Sequence, residues 1–327
     1  MNFGHFASYF RNSRLQPRSS PVSRAASVVL VGLAAVGMAA ALAMQFTFAS
    51  LPNIWPVVAG VVAVEILAWL LPPLAIVDAI QTIAHGLLFL ILVCLGAVLA
   101  AYAMQRFAFP LQDRLFERVD LALGLSWPDY AHWVDRHLGV QRVIHVAYDT
   151  IQIQIVLPLV VLAFADRPDQ VRAYLLAFAI ALSATIVISA LLPAAGPIAA
   201  FDRASFDILG FTGATPLDHL TRLRAAGPLI LTEPPGGIAT FPSFHATVAV
   251  LTPLTLRGHP RTFFVLLVLD AAMLAGTVTE GAHYFCDVLA GIAMAFFAYA
   301  LAHAIIKAED RAPAMQPAAS LALDGRP

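Results

Sequence analysis

Two passages decide the reading of this chain. The first is Gly236-Gly237-Ile238-Ala239-Thr240-Phe241-Pro242-Ser243-Phe244-His245, and the second is Glu280-Gly281-Ala282-His283-Tyr284-Phe285-Cys286-Asp287. Between them lie two apolar runs, 246–256 and 262–279, parted by the polar hinge Arg257-Gly258-His259-Pro260-Arg261. At 1.5 Å per residue each run, taken with its flanks, is about long enough to cross a bilayer as a helix with some shortening or tilt. The chain then crosses and returns, and His245 and His283 finish on the same membrane face.

Composition agrees with membrane crossings. Of the 327 residues, 60% are hydrophobic and only 12% charged, where a soluble domain carries about a quarter charged residues. Mean hydropathy is +0.80. The net charge of −1 supplies no basic field for nucleic acid. The two cysteines, Cys94 and Cys286, lie in apolar runs and give no disulfide framework. Eighteen arginines against one lysine point to a bacterium with a GC-rich genome.

Outward from the two passages, the expected fold is all-α, a polytopic membrane bundle of about eight transmembrane helices with interfacial amphipathic pieces. Residues 1–24 form a polar N-terminal segment with four arginines. Residues 25–104 hold three apolar runs, 25–48, 55–74 and 79–104. The first is too long for the core of a signal peptide and reads as an uncleaved span. In residues 105–150 charges interleave with apolar residues at three- and four-residue spacing, the pattern of amphipathic helices. Two helices lying in the interface are expected there, with Trp127, Tyr130 and Trp133 at headgroup depth; a solvated loop domain is the alternative. Residues 151–306 carry spans at 151–165, 172–192, 241–256, 262–279 and 284–306, with a Pro/Gly-rich loop over 193–239. Residues 307–327 read as a disordered tail. Eight spans place both termini on one side. The short hinges there carry Arg167, Arg172, Arg257 and Arg261, so the positive-inside rule makes that side cytoplasmic. The site is then expected to face outward, to the periplasm of a bacterial inner membrane.

His283 and Asp287 are four residues apart and share a face if both lie on a helix. The carboxylate can hold one imidazole nitrogen and leave the other as a nucleophile; a polar pair capping the last helix is the plainer alternative. Pro242-Ser243-Phe244-His245 reads as a helix start, where free N–H groups and the dipole favour phosphate. Ser243 adds a hydroxyl, and His245 can pass a proton to a leaving oxygen. The phosphate charge asks for a cation, with Arg224 first and Arg222 second among the loop arginines.

Pro-Ser-x-His followed by His-x-x-x-Asp, at the starts of two membrane helices, resembles the type-2 phosphatidic acid phosphatase superfamily. Phe-Pro-Ser-Phe-His, Gly-x-His-Tyr-x-x-Asp-Val-Leu-Ala-Gly and Leu192-Pro193-Ala194-Ala195-Gly196-Pro197 look most like the branch of the inositol phosphorylceramide synthases, an inositolphosphotransferase-like branch. The resemblance covers residues 145–306. It implies a six-helix phosphatase-like core and a phosphohistidine mechanism. His283 would attack phosphorus, Asp287 would orient it, and His245 would protonate the leaving alcohol and then activate water or a second alcohol. Ser243 and an arginine would hold the phosphate of a phospholipid or lipid phosphate, and no metal or other cofactor is implied. The phosphatase branch has Ser-Arg seven and six residues before the third-motif His, and this chain has Gly276 and Thr277 there. Its Lys and Arg-Pro motif is missing too. Both departures fit a phosphotransferase better than a plain phosphatase.

His145 and Asp149 repeat the His-x-x-x-Asp spacing without a Pro-Ser-x-His partner and are expected at the site entrance. Glu65, His85 and Asp270 fall within apolar runs. Such residues motivate a rival reading, a transporter using Glu65 and Asp270. No repeat or matched halves accompany them, and interhelical hydrogen bonding is their expected use.

Overall fold

The computed structural model describes residues 22–43, 47–48, 55–70, 74–199, 220–221, 223–225, 230–231 and 238–311. Eleven α-helices lie among them: α1 Arg24–Ala43, α2 Trp55–Leu70, α3 Ala75–Met104, α4 Asp113–Ala122, α5 Trp127–Asp135, α6 Leu138–Asp149, α7 Ile151–Phe164, α8 Pro168–Leu191, α9 Phe244–Thr255, α10 Pro260–Thr279 and α11 Phe285–Arg311. The chain is a polytopic helical bundle. Its extended structure among the described residues is one parallel pairing of Thr47–Phe48 with Ile230–Leu231.

Each of the eight expected runs overlaps a helix, the first ending at Ala43, short of the strand Thr47–Phe48. By length and hydropathy four described helices can cross a membrane alone, α3, α8, α10 and α11, or five if α6 and α7, bent by 52°, make one broken span. The return trip is present as α9, a hinge and α10. At 12 residues, α9 is only about 18 Å long, shorter than the expected 241–256 because Ser243 caps its start and Leu256 already leaves helical geometry.

The axis of the bundle is α8. Val171, Ala173 and every residue from Tyr174 to Ala179 are buried, as in a helix apolar all round and enclosed on all sides. Around it pack α1, α3, α7, α9 and α11. At one end Arg172 reaches Asp310 (3.0 Å) and Glu309 (3.3 Å), and Glu309 also accepts from the Ala25 amide (2.8 Å). The start of α1 and the end of α11 therefore meet at one end of the bundle. The opposite end gathers the starts of α9 and α11 and the end of α10.

Residues 105–150 differ from expectation in two respects. They form three helices rather than two. Gly124 takes a left-handed φ of +74°, and Leu125 and Gly124 donate back to the Asp120 (2.9 Å) and Leu121 (3.0 Å) carbonyls, a Schellman stop that frees α5 from α4. Two of the three aromatic side chains expected at the headgroups, Trp127 and Tyr130, also turn inward, while Trp133 stays exposed. Trp127 is buried and donates to the Val278 carbonyl (2.8 Å), and the Tyr130 hydroxyl donates to the Ala275 carbonyl (3.0 Å). Polar ends expected among lipid headgroups instead bond carbonyls near the end of α10; that of Val278 lies among the last four, which lack helical partners.

Candidate active site

The two decisive passages meet. Ser243 is the N-cap of α9, its Oγ accepting from the Ala246 amide at 3.3 Å, the usual service of a serine at that position. The Ser243 amide in turn donates to the Asp287 carbonyl (3.0 Å). Four residues on, the Thr247 hydroxyl donates to the Gly291 carbonyl (3.0 Å). α9 and α11 thus start side by side and run in register. The contact requires glycine at 291, where a Cβ would run into the Ser243 carbonyl oxygen.

His283 precedes α11, which begins at Phe285, so the pair does not lie on one helix as the spacing implied. The geometry survives because the chain turns just before the helix. Asp287 Oδ2 lies 3.3 Å from His283 Nδ1 and accepts from the Tyr284 amide at 3.0 Å. His283 is 5% exposed and Asp287 fully buried. With Nδ1–H given to the carboxylate, His283 keeps Nε2 as its free nitrogen.

His245, the second residue of α9, lies against α6. Its imidazole stacks on the Tyr148 ring with centroids 4.1 Å apart, and its Nδ1 is 3.5 Å from the Tyr148 hydroxyl. That hydroxyl also neighbours His283. A Cβ on Gly281 would fall 3.1 Å from it and 2.6 Å from His283 Cδ2. Tyr148 therefore stands beside both histidines.

Helices α4 and α6 brace this end. Asp120, 2% exposed, accepts from the Phe285 and Cys286 amides, both at 2.8 Å. It satisfies two orphan donors at the start of α11 and places a negative charge at a helix N-terminus. One face of α4 further down, Asp113 accepts from the Ala195 (3.1 Å) and Gly196 (2.9 Å) amides and from the Tyr284 hydroxyl (3.2 Å). Gly196, at φ +85°, lies so close to the Ala282 carbonyl that a Cβ would come within 2.5 Å of its oxygen. The 193–196 loop, the His283 turn and α4 are thus one unit. His145 lies 3.5 Å from Asp149 as spaced, but its closer partner is the buried Glu280 at 2.8 Å.

Arg224 hydrogen-bonds Gln105 at the end of α3 (3.4 Å), and burial lowers its pKa from the usual guanidinium value while leaving it a cation. Arg222 and Gly236-Gly237 lie outside the described residues. Glu65 pairs with His85 (2.8 Å) between α2 and α3, and Thr252 donates to Asp270 (3.4 Å) between α9 and α10. Both arrangements are interhelical.

Sequence reasoning missed Tyr148, Glu280, Asp113 and Asp120. A signal for the last two was available: Asp113, Phe116 and Asp120 recur at helical spacing and share one face of α4.

A helical bundle with a buried imidazole–carboxylate pair tied to a capped helix start defines an integral membrane protein with an enclosed polar site at one end. The family described as the PAP2 superfamily matches residues 114–301, more than half of the chain, and the chain belongs to that superfamily. Membership supports a phosphatase or phosphotransferase of lipid-phosphate type. No curated protein and no solved structure matches the chain. The family match begins at α4, earlier than the 145–306 read from the motifs, in keeping with α4 and α6 as parts of the site.

Proposed function

We propose that the chain is a membrane lipid phosphatase or phosphotransferase working through a phosphohistidine, with the phosphotransferase-like branch favoured. The observation that carries this reading is the hydrogen bond from the Ser243 amide to the Asp287 carbonyl at 3.0 Å, which draws a nucleophile's helix and an acid's helix together.

In the first step His283 Nε2 attacks phosphorus as the bond from phosphorus to the alcohol oxygen breaks. His245 gives that oxygen a proton, so the alcohol leaves neutral. Asp287 accepts from Nδ1–H and stabilises the charge that forms on the imidazole. In the second step water or another alcohol attacks the phosphohistidine, His245 takes its proton, and the phosphorus–nitrogen bond breaks. The start of α9, with the Ser243 O–H, holds the phosphate oxygens. Arg224, with Arg222 in reserve, is the cation assigned to the phosphate charge.

The phosphotransferase preference has support from packing. Thr277 is fully buried, with its hydroxyl turned back to the Met273 carbonyl (2.8 Å), and a Cβ on Gly276 would lie 2.7 Å from the Ile144 carbonyl oxygen. The buried Thr277 fills the position where the phosphatase branch carries its arginine. The substrate is a phospholipid or lipid phosphate, reached at the outer face of a bacterial inner membrane.

The test is turnover of phosphatidic acid and a panel of phospholipids by detergent-purified protein, read as free phosphate and as new lipid. His283→Ala and His245→Ala should each lower turnover by at least about 100-fold. Full activity in either variant would refute the mechanism.

A further inference from the structure

Tyr148, outside both motifs, brings a hydroxyl to the gap between the two histidines. Its ring stacks on the His245 imidazole with centroids 4.1 Å apart and the planes 11° from parallel. The hydroxyl oxygen, 3.5 Å from Nδ1, therefore meets that nitrogen on the face of the ring, away from the plane in which an imidazole donates or accepts. Among the described residues the hydroxyl makes no other close polar contact. Toward His283, a methyl group at Gly281 would touch both the Tyr148 oxygen (3.1 Å) and His283 Cδ2 (2.6 Å). Cδ2 is bonded to Nε2, the nitrogen left free when Asp287 takes Nδ1–H. The hydroxyl thus stands beside the edge of the ring that carries the nucleophile, with its proton uncommitted.

The helix carrying Tyr148 is held at this place. His145, three residues earlier, bonds Glu280 at 2.8 Å. The Ile144 carbonyl packs on Gly276 of α10 so closely that a Cβ there would be 2.7 Å from its oxygen. Both partners lie just ahead of His283 in the chain, so α6 and the His283 turn keep a fixed relation.

We infer that the Tyr148 hydroxyl donates to a non-bridging oxygen of the transferring phosphoryl group. This rests on His283 Nε2 being the nucleophile. Phosphorus then lies on the Nε2 lone pair, with the departing oxygen opposite and three equatorial oxygens around that axis. A hydroxyl beside Nε2 and over the face of His245 flanks the axis, so it meets an equatorial oxygen rather than the attacking or leaving atom. The charge on those oxygens is stabilised by donors fixed in place beforehand. The neighbouring Thr277 hydroxyl is committed to the Met273 carbonyl (2.8 Å). The proton stays on the phenol throughout, and no bond to Tyr148 forms or breaks. Phenylalanine keeps the stack on His245 and the volume, and removes the donor.

The test uses two substrates that share the phosphoryl group and differ in leaving group. In single-turnover measurements on the full chain in detergent, Tyr148→Phe should slow transfer from phosphatidic acid and from p-nitrophenyl phosphate by the same factor. That factor is about 10- to 100-fold, the size of one hydrogen bond to a charged group. An unchanged melting temperature separates this loss from misfolding. Rates within about twofold of wild type on both substrates would overturn the inference. So would a loss confined to phosphatidic acid, which would mean that Tyr148 acts on the leaving group through His245. Wild-type rates for His283→Ala are a different failure: the phosphohistidine reading falls, and the inference with it.

A second measurement keeps the hydroxyl. With 3-fluorotyrosine at position 148, the fluorine NMR resonance should shift as inorganic phosphate is added, over the concentrations at which phosphate inhibits turnover. A resonance that stays put while phosphate inhibits would overturn the inference even if Tyr148→Phe does not fold.

Discussion

Replacing Asp120 by alanine removes two hydrogen bonds together. Its carboxylate accepts from the Phe285 and Cys286 amides at 2.8 Å each, and at 2% exposure there is little room for water to replace it. A buried donor left without a partner costs about 1–3 kcal/mol, and loss of a helix N-cap typically costs ~1 kcal/mol. Since the two descriptions overlap, Asp120→Ala should destabilise the fold by about 2–4 kcal/mol. Asp120→Asn keeps one acceptor oxygen and should lose about half of that. The assay is heat denaturation of the purified protein in detergent, followed with a thiol-reactive dye that reports exposure of Cys286 and Cys94. The expected order of melting temperature is wild type, then Asn, then Ala. Catalysis should fall along with stability, because the same amides begin the helix that carries Asp287. A shift of the His283 turn by about 1 Å is worth roughly 100-fold in rate. Asp129, exposed on α5, is the control, and Asp129→Ala should change stability by less than about 0.5 kcal/mol. Asp120→Ala with wild-type melting and wild-type turnover would refute the view that α4 holds the start of α11 in place.

Two further outcomes are expected. Gly291→Ala puts a methyl group against the Ser243 carbonyl, a backbone atom that cannot swing aside, so α9 and α11 must separate; overpacking of this kind costs about 1–3 kcal/mol. Melting temperature and lipid turnover should both fall, whereas Gly60→Ala, which meets nothing within 4 Å, should leave both unchanged. Glu65→Gln and Asp270→Asn should leave lipid turnover within about twofold, the equivalent of under 0.5 kcal/mol in the barrier. Turnover abolished by either substitution, with substrate flux in sealed vesicles surviving His283→Ala, would favour the transporter reading instead.

The positions of the helices were legible in the sequence because they follow from local causes. Long apolar runs must satisfy their backbone hydrogen bonds within themselves in a bilayer, and helices do this. Pro242 and Ser243 mark a helix start for reasons that lie within three residues. The same is true of His283 and Asp287, whose approach needs only one turn of chain. The return of the chain between the two motifs followed from the length of the runs and brought His245 to the same end.

The partners of these residues could not be read in that way. Amphipathic spacing in 113–149 tells which side chains share a face, but not whether that face meets lipid headgroups or protein. Trp127, Asp120 and Tyr148 turned out to face protein, and each bonds or stacks on a residue of another helix far along the chain, as His145 does with Glu280, 135 positions away. The sequence by itself determined which segments are helices and which short motifs start them, since those depend on neighbouring residues and the bilayer's intolerance of unpaired backbone. Only the tertiary structure decided that α4 caps the helix that carries Asp287 and α6 packs against His245, because such contacts arise from how helices distant in sequence share buried surface, a property no local spacing records.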